Sequence, residues 1–493
     1  MSQSKNSLYL TKQIRLFEQE AIDHLGSADD DLMLRAGVAA LHSLKTLYPD
    51  VRNIAVFCGS GNNAGDGYVL ARLAFQQGLE VVIYQHKLLD DLPPAAMNAA
   101  RAAMACGVVC QSLDEPIDMD TELVVDALLG IGIKGPVYGP IANAIHLIND
   151  SGLPVLALDV PSGLDADTGE VLGVCVHAAV TVTFIAQKVG LYTCDGPQYA
   201  GKIVCHGLQV DSLVAATSPA AWVLDESVLR EVMHPRPRNA HKGMFGHVLV
   251  IGGGPGMPGA VYLAALAALR VGAGSVTVAL SSEHVAGVFP GLPEVMIHGV
   301  DDVEMLKPLL SKATVCVIGP GLGETQWAES LFKATMAAQL PLVMDASALR
   351  LLARHPQQDD HWILTPHPGE AAALLDCSIS DVQHNRCKTA ARLSQKYGGC
   401  IVLKGAGSIV HTIQNETYIC TAGNPGMASA GMGDVLSGVI VGLLAQGVSL
   451  ADAAKLGVFI HAKAADEAVS SQGERGLIAT DLMPYLRRQI NKF

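Results

Sequence analysis

Short apolar runs that end on glycine, aspartate or proline recur along the chain, each followed by a helical stretch. In the first half these are NIAVFCGSG (53–61), ELVVDALLG (122–130) and LPVLALDVPSG (153–163). In the second they are HVLVIGGG (247–254), VCVIGPGLG (315–323), PLVMDASAL (341–349), WILTPHPGE (362–370) and CIVLKGAGS (400–408). Continuous apolar strands of this kind belong in parallel sheets covered by helices on both faces. The pattern predicts an α/β protein throughout. It lapses between 212 and 245, where SLVAATSPAA is weakly patterned and HPRPRNAHKG gathers proline and basic residues before a fresh strand at His247. Two α/β domains follow, over 1–212 and 222–493, and no strong repeat relates them.

Two segments look membrane-like. Residues 260–280 are nearly all apolar, but Arg270 and several glycines interrupt them; 435–445 is too short, since a crossing needs about 20 residues. Both read as buried helices, or as a helix followed by a buried strand. MSQSKNSLYL carries no apolar leader core.

The chain has 493 residues, 50% of them hydrophobic and 16% charged, which suits large cores and excludes disorder. A net charge of −14 without a long Lys/Arg run argues against nucleic acid as a partner and leaves small phosphorylated ligands open. The 11 cysteines form no C-x-x-C pair; Cys106 and Cys110 lack a matching Cys/His pair, so no zinc site is read. Scattered cysteines fit a reducing cytoplasm, and no membrane association is expected.

In open α/β sheets ligands bind beyond the carboxyl ends of strands. That rule selects Asn62, Asn63, Asp66, Asp126, Asp159 and Ser162 in the first half, and His367, Lys404 and Asp434 in the second. GSGNNAGDGYVLARLA (59–74) runs from strand to helix through a Gly-rich loop without the G-x-G-x-x-G spacing; its bland reading is a capped turn. Asn63, Asp126 and Ser162 are oxygen donors suited to a hard cation, and Asp159 is suited to proton transfer. GPQYAGKI (196–203) mimics a P-loop, but Ile203 replaces the magnesium-binding hydroxyl. In TAGNPGMASAGMGDVLSGVIVGLLAQG (421–447), Gly431, Gly433 and Asp434 stand at the mouth of an apolar helix expected near Val435. Its N–H groups can meet phosphate and Asp434 can take the proton of an attacking hydroxyl.

GNNAGDG (61–67) and NPGMASAGMGDVLSG (424–438) together resemble the signatures of the bifunctional NAD(P)H-hydrate repair enzymes, and the likeness spans essentially the whole chain. It implies a Rossmann-like three-layer epimerase domain followed by a ribokinase-like dehydratase domain. The first would interconvert the R and S hydrates of NADH and NADPH. The second would dehydrate the S form at the expense of ADP or ATP, with ADP favoured, releasing AMP and phosphate. By the same match Asn62, Asn63, Ala64, Gly65 and Asp66, the loop Gly130, Ile131, Gly132, Ile133, Lys134, Gly135 and Pro136, and Asp159 contact the hydrated cofactor. Asn63, Asp126 and Ser162 correspond to potassium ligands. Ala260, Gly323, His367 and Asp434 correspond to substrate contacts in the second domain. Lys404, Gly405, Ala406, Gly407, Ser408 and Gly433 correspond to nucleotide contacts, with Mg2+ bridging the phosphates. Asp159 and Asp434 are the catalytic candidates, and a homo-oligomer is expected. Two positions depart from the family: Ala64 replaces a glycine, and DASALR (345–350) stands where DADALN is usual, so Ser347 lacks a carboxylate. The competing readings are a small-molecule kinase with an accessory domain, and a nucleotide-binding scaffold without catalysis.

Overall fold

The computed structural model describes residues 6–25, 29–86, 91–288 and 291–492; the first five residues of MSQSKNSLYL lie outside the described residues. The chain folds into two compact units, Met1–Trp222 and Val223–Phe493. Residues between the expected limits 212 and 222 close onto the first unit, where Ala221 and Trp222 pair antiparallel with Leu8 and Ser7.

The first unit carries a seven-stranded sheet. Its order is Val109–Ser112, Glu80–Gln85, Asn53–Cys58, Leu123–Ala127, Val155–Leu158, Val180–Phe184 and Lys202–His206, all parallel. Leu123–Ala127 is buried from end to end, the outcome expected of an apolar strand with helices on both faces. The chain winds outward one way from Asn53–Cys58 and the other way from Leu123–Ala127. The loops leaving these two strands therefore diverge and open a crevice.

The second unit orders Met296–Gly299, Ser275–Leu280, His247–Ile251, Val315–Ile318, Leu342–Met344, Trp362–Leu364 and Cys400–Leu403 in parallel. Ser408–His411 and Thr417–Cys420 then run antiparallel, two strands the sequence pattern did not single out. The reason is the short connection 404–407: a parallel return needs a crossover of a dozen or more residues.

The two membrane-like segments become helix Pro258–Arg270 with strand Ser275–Leu280, and helix Met432–Ala445. Among the described residues no helix is long and apolar enough to cross a membrane. The two helices approach through small residues: a Cβ on Gly438 would stand 2.2 Å from the carbonyl oxygen of Ala264, and one on Gly442 2.9 Å from the Cα of Ala268. Contact with backbone leaves nothing that can rotate away. Gly438→Val should lower the stability of the second unit by about 3 kcal/mol in urea unfolding; a loss under about 0.5 kcal/mol contradicts this packing.

Candidate active sites

Gly59–Gly61 alone form the turn after Asn53–Cys58, because the next helix starts at Asn62 rather than beyond a longer loop. Asn62 to Asp66 are thus first-turn helical residues. Ala64 has no positive φ and is fully buried, so a methyl group is accommodated where the family has glycine. Gly65 packs against Met33 and Ala96. Neither Ala64 nor Gly65 lines the cavity of about 460 Å³ at the crevice.

Asn62, Asn63, Asp66, Gly130, Ile131, Gly132, Ile133 and Asp159 do line it, whereas Lys134, Gly135 and Pro136 do not. Arg15 and Glu18 of helix Thr11–Leu25 and the buried Lys188 complete the polar wall; the sequence reading named none of the three. Lys188 donates from Nζ to Asp159 Oδ1 at 2.5 Å, to Thr183 Oγ1 at 2.8 Å and to the Phe184 carbonyl at 2.8 Å. Asp159 itself has φ 67°, a left-handed conformation costing an aspartate on the order of 1 kcal/mol, held by its N–H on the Val182 carbonyl. Burial pushes the Asp66 carboxyl well above its ordinary range, and Asp159 and Glu18 push it further against the opposing Lys188.

Behind this wall Asp126 is fully buried and accepts from Ser162 Oγ (2.6 Å), Ser162 N (2.8 Å) and Leu128 N (3.1 Å). Burial raises its carboxyl to about 6, against those three hydrogen bonds. Ser162 Oγ also lies 3.2 Å from the Leu129 carbonyl, to which Asn63 Nδ2 donates at 2.9 Å. That chain leaves Asn63 Oδ1 buried with no hydrogen-bond partner. A buried carboxylate joined through hydrogen bonds to an orphaned amide oxygen suits a cation.

In the second unit the helix bearing Asp434 begins at Met432, three residues before the expected Val435, with Gly431 as N-cap at φ 86°. Asp434 therefore lies inside the first turn. Beside it Lys404 Nζ meets Asp345 Oδ1 at 2.8 Å and Glu370 Oε2 at 3.7 Å, and Ser437 Oγ donates to Asp345 Oδ2 at 2.8 Å. Burial works against the Asp345 charge, but Lys404, Ser437 and Thr365 outweigh it and hold the carboxyl below its ordinary value. Among the described residues, Asp434 has no such cation at bonding distance. Burial and Asp345 raise it to about 7, against Lys404, with Glu370 adding to the rise. A Cβ on Gly433 would stand 3.3 Å from Lys404 Nζ, so that glycine lies against the same charge cluster.

His367 caps helix Pro368–Leu375. Its Nδ1 accepts from Gly369 N and Glu370 N, while Glu370 Oε2 accepts from His367 N at 2.8 Å. The other ring nitrogen lies 3.4 Å from Glu370 Oε1, tying His367 to the Lys404 cluster. Ala260 opens its helix beside the loop 319–323, its Cβ 3.1 Å from where one on Gly321 would lie. Gly323 N donates to Ser347 Oγ at 3.1 Å, so the serine that lacks the family's carboxylate pins this loop. Gly405 N and its carbonyl both meet Ser408 Oγ, closing the turn 404–408. Asp345 and His461 were missed. Asp345 follows the apolar run PLVM and the strand-end rule reaches it; buried His461, kept neutral at about 4 by burial and Lys404, lies in an alanine-rich helix that gives no signal.

The comparisons agree with this division. A model of the YjeF-related protein N-terminus matches residues 29–190, and one of NAD(P)H-hydrate dehydratase matches 248–488. A bifunctional NAD(P)H-hydrate repair enzyme of Coxiella burnetii is 49% identical over 98% of this chain and 99% of its own length. The chain belongs to the bifunctional NAD(P)H-hydrate repair enzyme family. The Escherichia coli member is 40% identical over 99% of this chain and 94% of its own. A ribokinase-like superfamily protein of Enterococcus faecalis superposes with a TM-score of 0.51 at 29% identity, covering 55% of this chain and 95% of that one.

The Lys188–Asp159 pair generates a direct test within this family member. Lys188→Met strands a largely buried carboxylate and should cost about 3 kcal/mol of first-unit stability. Adding Asp159→Asn should recover much of that loss in denaturant titrations; no recovery contradicts a paired role.

Proposed function

We propose that the first unit epimerises the R and S hydrates of NADH and NADPH, and that the second dehydrates the S hydrate with a nucleotide, ADP favoured. The observation that carries this reading is Asp434, a carboxyl at about 7 in the first turn of a helix beside Lys404. Hydroxide is a poor leaving group and phosphate a good one. Asp434 takes the proton of the ring hydroxyl as that oxygen bonds to the terminal phosphorus, and the bond from phosphorus to AMP breaks. Electrons from the ring nitrogen then expel phosphate, the neighbouring carbon loses a proton, and the dihydropyridine is restored. Helix N–H groups and the turn 404–408 hold the nucleotide phosphates, as such termini do.

In the first unit Asp159 moves the proton that inversion at a hydroxyl-bearing carbon requires. Lys188 donates to it and holds it oriented. Asn63, Asp126 and Ser162 fit potassium, which when bound supplies a fixed positive charge behind the cavity wall. Among the described residues no three His, Cys, Asp or Glu side chains converge as a metal site. The steps above use the chain's own groups.

Hydrated NADH incubated with the protein and ADP or ATP should regain NADH absorbance and release free phosphate. A stable phosphorylated product with no recovered NADH would instead establish the small-molecule kinase. Asp434→Asn should lower dehydration by a factor on the order of 10² or more while leaving ADP binding nearly intact; full turnover removes Asp434 from the mechanism. The base must be ionised, so the dehydration rate should rise with pH through about 7. Asp345→Asn, by deleting a carboxylate that raises Asp434, should move that limb to lower pH.

A further inference from the structure

Arg386 opens helix Arg386–Tyr397, and only 1% of its surface is exposed. A guanidinium this deep is costly unless its donors are used. Its Nη2 donates to the carbonyls of Leu403 at 3.3 Å and Lys404 at 3.2 Å, and its Nη1 to Gln383 Oε1 at 2.7 Å. Those two carbonyls belong to the last residue of strand Cys400–Leu403 and the first of the turn 404–408. The turn rests directly on the guanidinium, since a Cβ on Gly405 would lie 2.8 Å from both Nη1 and Nη2. Gly405 also has φ 144°, which other residues rarely adopt. Lys404 is thus fixed at both ends, its carbonyl by Arg386 and its ammonium by Asp345.

We propose that Arg386 is the positioning residue of the nucleotide site, fixing the backbone of Lys404 and Gly405 so that the turn 404–408 is preorganised for the adenine nucleotide. The proposal rests on the nucleotide reading of that turn. Arg386 does not touch the ligand; it removes the cost of ordering the turn at the moment of binding. The planar fork matters, because it reaches two adjacent carbonyls and Gln383 at once, which an ammonium on a flexible stem does not reproduce.

The test is the ADP dependence of NADH recovery from the S hydrate by the full chain. Arg386→Met should raise the KM for ADP about tenfold. It should leave kcat within about twofold, because the chemistry is not at Arg386, and R-to-S conversion by the first unit unchanged. Arg386→Lys should recover part of the loss, and Gln383→Met should move KM the same way by less. An unchanged KM with a lowered melting temperature and a lower kcat marks a merely structural arginine and overturns the proposal. If Arg386→Met does not fold, Arg386→Lys and Gln383→Met decide, and an unchanged KM in both overturns it. Gly405→Ala separates the two readings. A raised KM there with none in the Arg386 variants overturns the role of Arg386 alone; no change in either overturns the nucleotide reading of the turn and the proposal with it.

Discussion

Lys404 sets an ammonium among three carboxylates, those of Asp345, Glu370 and Asp434. Its 2.8 Å contact with Asp345 decides how the charge is shared. Burial disfavours every one of these charges, so the carboxyl with the closest cation is held low and the others are raised. Asp345 falls below its ordinary range, Glu370 rises, and Asp434 rises to about 7. His461, kept neutral by burial and by Lys404 itself, brings no second positive charge. A general base works best near the ambient pH, so in the proposed mechanism the Lys404–Asp345 pair readies Asp434 without reacting. Arg386 bonds the Lys404 carbonyl and His367 lies against Glu370, so both adjoin this cluster.

The first unit solves a similar problem with different parts. Lys188 is committed to Asp159 by its 2.5 Å contact and by two further acceptors, and burial with the Asp159 and Glu18 charges pushes the Asp66 carboxyl in the same cavity well above its ordinary range. Asp159 reaches this position from a left-handed backbone, strain of the kind that concentrates at working sites. Among the described residues Asp126 is buried without a basic partner and relies on hydrogen-bond donors, which is why its neighbourhood suits a bound cation.

Much of this was legible because a parallel strand places its following residue at the sheet's working edge. Asp159 and Lys404 come directly after an apolar run and His367 three residues after one, and the strands ending there are all present. Helix starts were less legible. Glycine reads as loop, yet Gly65 and Gly433 sit within helices, where close packing against Met33 or Lys404 overrides poor helix propensity. Lys188 stands 29 positions from Asp159, and only the fold brings the two together. Arg386 opens a helix with a polar face and reads as a surface residue until the turn it supports is seen.

Two chemistries on one chain make sense if the hydrate arises as two epimers and only one suits the Asp434 site. The account then divides the work between Asp159 and Asp434, with neither able to replace the other. The measurement that tests this most directly uses Asp159→Asn in the full chain, supplied with ADP and with each separated epimer in turn. The account predicts NADH recovery from the S hydrate at the unaltered rate, and from the R hydrate only as fast as R converts to S without enzyme. Recovery from the R hydrate as fast as in the unaltered chain would contradict it.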